Sequence, residues 1–210
     1  MNDLSFVLII FFVTLGPIKV IPAYAQLTSQ LSESDRRGLA IKATLLATAV
    51  GFLILFLGDK LRQNWQIGSA DLLLTGGVLL LIGALEAVKN AQHAPPPGAP
   101  PTSVKGLALS PVTFPIIITP YGIVALLLFA AVASDTQTFL IGVFGIFLGM
   151  MVADCLAMIF ARQLLGFIRI GTLMAFGWLV AVLQAALAIH AFMSGLQQYG
   201  VVPGPLPVVP

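Results

Sequence analysis

Pro17-Ile-Lys-Val-Ile-Pro22 and Pro115-Ile-Ile-Ile-Thr-Pro120 each place two prolines five residues apart inside a long apolar run. A proline in a helix removes a hydrogen bond and clashes with the preceding turn. Two in one place free several backbone groups. In hydrocarbon those groups must be satisfied by protein, water or a bound solute. Paired Pro-interrupted segments, one in each half of a chain, are a sequence pointer to a transporter binding site.

The rest of the chain fits that setting. Of its 210 residues, 59% are hydrophobic and 9% charged, and the mean hydropathy is +1.03. A soluble domain carries roughly 25% charged residues. This composition cannot cover a globule with polar surface, so it predicts a polytopic, all-α membrane protein. The net charge of +2 is too small to point to nucleic acid. Cys155 is the single cysteine, which excludes an intramolecular disulfide and a cysteine-based metal site. The opening Met1-Asn-Asp-Leu lacks the basic stretch of a signal peptide, so the first apolar run reads as a retained helix.

A bilayer core of about 30 Å needs about 20 apolar residues of helix. Six stretches qualify: residues 4–25, 39–57, 70–88, 106–132, 138–160 and 167–193. The loops after spans 1, 3 and 5 hold Arg36, Arg37, Lys42, Lys89, Lys105, Arg162 and Arg169, whereas the opposite side holds Lys60 and Arg62. Seven against two puts the odd-numbered loops in the cytoplasm and both termini outside.

In the first inner loop, Ser32 followed by Asp35 resembles a capping box, with Asp in place of the usual Glu or Gln. It marks the start of the second span. Residues 90–105 contain Pro95-Pro-Pro-Gly-Ala-Pro-Pro101. Such a run favours extended polyproline geometry and reads as a linker between the halves, with His93 as a solvated loop residue. Residues 1–89 then form a first three-helix repeat, 106–195 a second, and 196–210 a Pro-rich outward tail. Pairing Pro17 with Pro115 and Pro22 with Pro120 superimposes the halves at one spacing. Because three is odd, the second half would sit inverted. Asp59 against Asp154, and Gly77 against Gly177, extend the echo weakly.

Three blocks together resemble the MarC family. They are Gly16-Pro-Ile-Lys-Val-Ile-Pro22; Leu27-Thr28 through Leu31-Ser32 to Asp35-Arg36-Arg37 and Ala40; and Pro111, Pro115 and Pro120. The resemblance covers residues 4–195 and implies a six-helix inner-membrane protein of bacterial type. The family is associated with multiple antibiotic resistance, and some members are described as neutral amino-acid transporters. The chain departs from the pattern at both proline motifs. Gly16 stands where the family has Asp or Asn, Lys19 where it has Gly, and Ile118-Thr-Pro-Tyr121 where it has Ala-Gly-Pro-Gly.

Lys19 is the sharpest candidate for chemistry. An ionisable residue inside a span is a functional hypothesis by default, and a cation beside freed N–H groups suits a carboxylate or phosphate. The alternative is snorkelling, since Lys19 lies about 9 Å from the inner end at 1.5 Å per residue. Asp154, inside span 5 at similar depth, could pair with Lys19, relay a proton, bind a coupling cation, or simply bond to a neighbouring helix. Glu86, one turn before Lys89, is a second ion-pair or coupling candidate, or an interfacial pair. Thr119 and Tyr121 flank Pro120, where hydroxyls can replace lost backbone partners or touch a solute. The solute-binding set is thus Pro17, Lys19, Pro22, Pro115, Thr119, Pro120 and Tyr121. Gln184 reads as interhelical glue and His190 as interfacial. Gly142, Gly145 and Gly149 provide close packing, within the chain or between copies of it.

The sequence has no Walker A loop, HExxH, CxxC or GxSxG. Ser110, Ser134 and Ser194 sit in no nucleophile motif. The reading is therefore a non-enzymatic secondary transporter without cofactor or metal. It would move a small carboxylate metabolite such as an amino acid. A channel-like pore and a non-transporting scaffold are the competing readings.

Overall fold

The computed structural model describes residues 4–92, 104–133, 137–167 and 170–204. His93, Ser134, Arg169, the polyproline run of the linker and the last six residues of the tail lie outside the described residues. Every regular element among the described residues is helical.

The first span is two helices, α1 (Leu4–Leu15) and α2 (Pro17–Leu27). Gly16 separates them in an extended conformation (φ −74°, ψ 166°). A residue before proline is pushed out of the helical region, and Pro17 then opens α2 where its missing N–H is not needed. A Cβ on Gly16 would stand 2.1 Å from the Phe12 carbonyl oxygen, so this hinge takes glycine. Pro22 lies inside α2 without ending it.

Helix α3 (Glu33–Asn64) follows. Its cap matches the expectation: Ser32 Oγ accepts from the Asp35 N–H at 3.2 Å and donates to the Asp35 carboxylate at 2.7 Å. Its 32 residues rise about 48 Å, more than a bilayer core. Helix α4 (Ser69–Gln92) completes the first half.

The fourth span is irregular. Helix α5 (Val104–Leu107) leads into a π-helical segment (Ala108–Ile117), and α6 (Pro120–Ala133) leaves it at a bend of 66°. Ser110 and Phe114 have extended backbones within the segment; each precedes a proline. The Ile118 N–H reaches back five residues to the Thr113 carbonyl (2.9 Å), the π-type bond. Helices α7 (Gln137–Ile159), α8 (Ala161–Phe167) and α9 (Ile170–Gln198) follow. Among the described residues five spans are long and apolar enough to cross a membrane, and six when the bent pair counts as one.

The first span breaks once, at extended Gly16 before Pro17. The fourth leaves helical geometry repeatedly, at Ser110 and Phe114 before Pro111 and Pro115, and bends again before Pro120, where α6 starts.

The core gathers α1, α2, α3, the π-helical segment, α6 and α7 around Phe11, Leu126, Phe129 and Phe147. Phe11 meets Phe129 edge-on, with ring centroids 5.3 Å apart. Helices α4 and α9 pack along each other and reach this core through α6. Their approach depends on Gly77 and Gly195: a Cβ on Gly77 would lie 2.8 Å from the Ala188 carbonyl oxygen, and one on Gly195 3.0 Å from that of Ala70. Gly177, matched to Gly77 in sequence, has open space around it. Leu45, Phe56, Leu85, Ile141 and Val182 face outward, an apolar exterior suited to lipid.

Candidate functional site

The break after α1 strands a carbonyl. In an unbroken helix the Thr14 carbonyl would accept from the N–H of residue 18. Here it accepts from Thr119 Oγ1 at 3.0 Å and from the Lys19 ammonium. A cation at a helix C-terminus also meets the negative end of the helix dipole. The Thr14 hydroxyl is spent inside α1, on the Ile10 carbonyl (2.7 Å).

Thr119 does two jobs at the other break. It caps α6, its hydroxyl oxygen accepting from the Gly122 N–H at 3.0 Å, and its one hydroxyl hydrogen goes to Thr14. The backbones approach closely because residue 122 is glycine: a Cβ there would be 2.5 Å from the Leu15 side chain. Lys19 Nζ also donates to the Tyr121 hydroxyl at 3.2 Å and lies 4.5 Å from the Tyr121 ring centroid. That geometry combines a hydrogen bond with a cation–π contact. Tyr121 rests on α4 where Gly83 leaves room: a Cβ on Gly83 would be 2.6 Å from its ring. Thus Lys19, Thr119 and Tyr121, predicted separately, share one junction with Thr14.

The prolines act through the backbone. Pro17 and Pro120 open α2 and α6, and Pro115 and Pro120 have exposed rings. Within the π-helical segment, the Thr113 hydroxyl is shared between the carbonyls of Ala108 (2.6 Å) and Ala43 (3.2 Å).

Asp154 is fully buried (0% exposed). It falls on the inward stripe of α7 formed by Val143, Phe147, Met151 and Met158, residues at helical three- and four-residue spacing. Neither carboxylate oxygen has a hydrogen-bond partner among the described residues. The charge of Lys19 acts on it, but the two form no ion pair. The bridge considered from the sequence is therefore not formed in this conformation, because Lys19 turns back to the Thr14 carbonyl and to Tyr121.

Other candidates lie apart. Glu86 is exposed on α4, close enough for its charge to reach Tyr121. Gln184 is buried and donates to the Leu80 carbonyl at 3.0 Å, tying α9 to α4. Gly142 packs on Leu4, whereas Gly145 and Gly149 are exposed and meet nothing within 4 Å. Among the described residues no three His, Cys, Asp or Glu side chains gather into a metal site.

An apolar cavity opens beside the junction, between α1, α4, α6 and α9. Tyr121 forms part of its wall with Ile10, Leu80 and Val124, and His190 and Ser194 are polar members. Sequence reasoning missed Thr14, Gly83 and Gly122. A hydroxyl residue three positions before Pro17 was the one available signal, and the atom that matters is its backbone carbonyl.

The profile of the MarC family integral membrane proteins matches residues 1–199. A UPF0056 membrane protein of Methanocaldococcus jannaschii is 26% identical over 139 residues, covering 63% of this chain and 68% of the relative. One of Archaeoglobus fulgidus is 23% identical over 134 residues, covering 59% of this chain and 60% of the relative. No solved structure matches the chain.

Proposed function

The chain belongs to the MarC family of integral membrane proteins, and from that premise we propose that it is a secondary transporter whose solute binds where the broken first and fourth spans meet. One observation carries this reading. The Thr14 carbonyl, stranded by the hinge at Gly16, is held from both spans at once, by Lys19 and by Thr119. In hydrocarbon such groups must keep partners, and a polar solute can take the place of one of them.

The solute class follows from what surrounds Lys19. Its ammonium suits a carboxylate, and the apolar cavity behind Tyr121 suits a small apolar remainder. Amino acids and short organic acids fit both. The two halves would act as inverted repeats, exposing the junction alternately to each side. The charge bias supports both termini outside a bacterial-type inner membrane, and Gly145 with Gly149 offers a face for a second copy. No catalytic step is required.

Counterflow tests the proposal. Proteoliposomes preloaded with a candidate amino or organic acid should accumulate labelled solute transiently and saturably, and Lys19→Met should abolish it. Linear flux without counterflow would indicate a pore. No flux with any acid would favour a non-transporting scaffold.

A further inference from the structure

Among the described residues Asp154 is the one buried carboxylate, and the junction described above does not use it. An ionised carboxylate without a hydrogen-bond partner is among the most expensive things to bury. It must be neutralised by a bound cation, by an ion pair or by a proton. The surroundings separate these options. A sodium-sized cation calls for several oxygen ligands, as hard cations do. Along its own helix Asp154 has Met151 and Met158 as inward neighbours, and no cluster of three His, Cys, Asp or Glu side chains forms among the described residues. The ion pair is not formed either, since Lys19 is held by Thr14 and Tyr121. A proton neutralises the carboxylate with no further ligand, which fits an oxygen pair without partners.

We propose that Asp154 is a proton-binding site coupled to Lys19, and that the proton is the ion whose movement accompanies the solute. The coupling rests on the transport reading given above; the proton site itself does not. Helix α7 packs against α1, α2, α3, α6 and α8. Among the described side chains, the buried or half-buried titratable groups on these helices are Lys19 and Tyr24 on α2, Arg36 and Arg62 on α3 and Tyr121 on α6; α1 carries none, Arg162 of α8 is exposed, and α7 itself carries Cys155 beside Asp154. Tyr24 donates to the Arg36 carbonyl, and Arg162 is spent on the carbonyls of Thr28 and Ser29. Lys19 is the cation whose charge acts on Asp154.

Two arrangements follow. With the proton on Asp154, Lys19 is free of it and keeps its positions at Thr14 and Tyr121, where it can meet a solute carboxylate. When the proton leaves to water, the bare carboxylate draws Lys19 away from the junction and the solute loses its cation. The step is a simple exchange, carboxylate plus proton giving carboxylic acid, with no redox change. Proton and anionic solute then bind with positive coupling, and each must raise the affinity of the other by the same factor.

Infrared difference spectroscopy of the protein in nanodiscs, without solute, tests the site. A protonated-carboxyl band should be present at neutral pH, titrate away in alkali and be absent in Asp154→Asn. Replacing potassium by sodium at fixed pH should leave it unchanged. Absence of any neutral-pH band that Asp154→Asn removes would overturn the proposal, and so would its loss on adding sodium. If Asp154→Asn does not fold, Asp154→Glu must shift the same band, and an unshifted band would likewise count against the assignment. Because no solute is present, failure here leaves the transport reading standing. Failed counterflow with the band intact would leave the proton site standing.

Discussion

Thr119 Oγ1 donates to the Thr14 carbonyl at 3.0 Å, and the two residues sit on either side of two separate helix breaks, 105 positions apart in the chain. The bond exists because one break strands an acceptor and the other places a capping hydroxyl beside it. The second half thus completes the first half's interrupted backbone at the point where Lys19 enters.

Thr119→Val keeps the shape and removes the hydroxyl. It should lower stability by about 1–3 kcal/mol, from the lost cap and a buried acceptor left short of a partner. Thr119→Ser should recover most of the loss. Thermal unfolding of the detergent-solubilised protein reads both; equal stability of the Val and Ser variants would contradict the role.

Gly77 and Gly177 should respond in opposite ways despite their matched places in sequence. Gly77→Ala drives a methyl against the Ala188 carbonyl and the Phe192 side chain and should cost about 1–3 kcal/mol. Gly177→Ala meets open space and should change stability by less than about 0.5 kcal/mol. The same unfolding assay compares them.

Leu at Gly145 and Gly149 should leave the fold of one chain intact, because neither position touches it. If copies associate through this face, the double substitution should shift the protein to the monomer in light scattering. An unchanged mass would exclude the face.

At the edge of the bundle the Tyr199 hydroxyl donates to the Asp71 carboxylate. That bond, followed by the smaller effects of desolvation and of the carboxylate's charge, raises the Tyr199 phenol above its ordinary value. A raised folded value means the contact contributes fully below the ordinary tyrosine value of 10.0 and is lost as pH climbs through the folded one. Ultraviolet titration of the wild type against Tyr199→Phe should isolate the Tyr199 component as a difference curve centred above 10.0.

Much of the site was legible because hydrocarbon makes polar residues conspicuous. Lys19, Thr119, Tyr121 and Asp154 stand out in runs of Ile, Leu and Val, and the prolines mark where backbone must break. Which proline restarts each helix was not legible. Pre-proline sterics act at Gly16, Ser110, Phe114 and Thr119 alike, so the fourth span breaks at several prolines, and the one at which the long helix α6 starts, Pro120, is not marked in the sequence. Thr14 was hidden because its contribution is a main-chain carbonyl. The glycines were ambiguous for a related reason: small-residue spacing is the same whether the face meets a neighbouring helix, as at Gly77, or nothing in the chain, as at Gly149.

The most direct measurement is a solute screen by thermal stabilisation of the purified protein, run beside Lys19→Ala and Pro120→Ala. We expect an amino acid or small organic acid to stabilise the wild-type chain and to stabilise neither variant. Stabilisation that survives in both variants would place the site elsewhere, and no stabilisation of a well-folded protein by any acid would contradict a carboxylate site at Lys19.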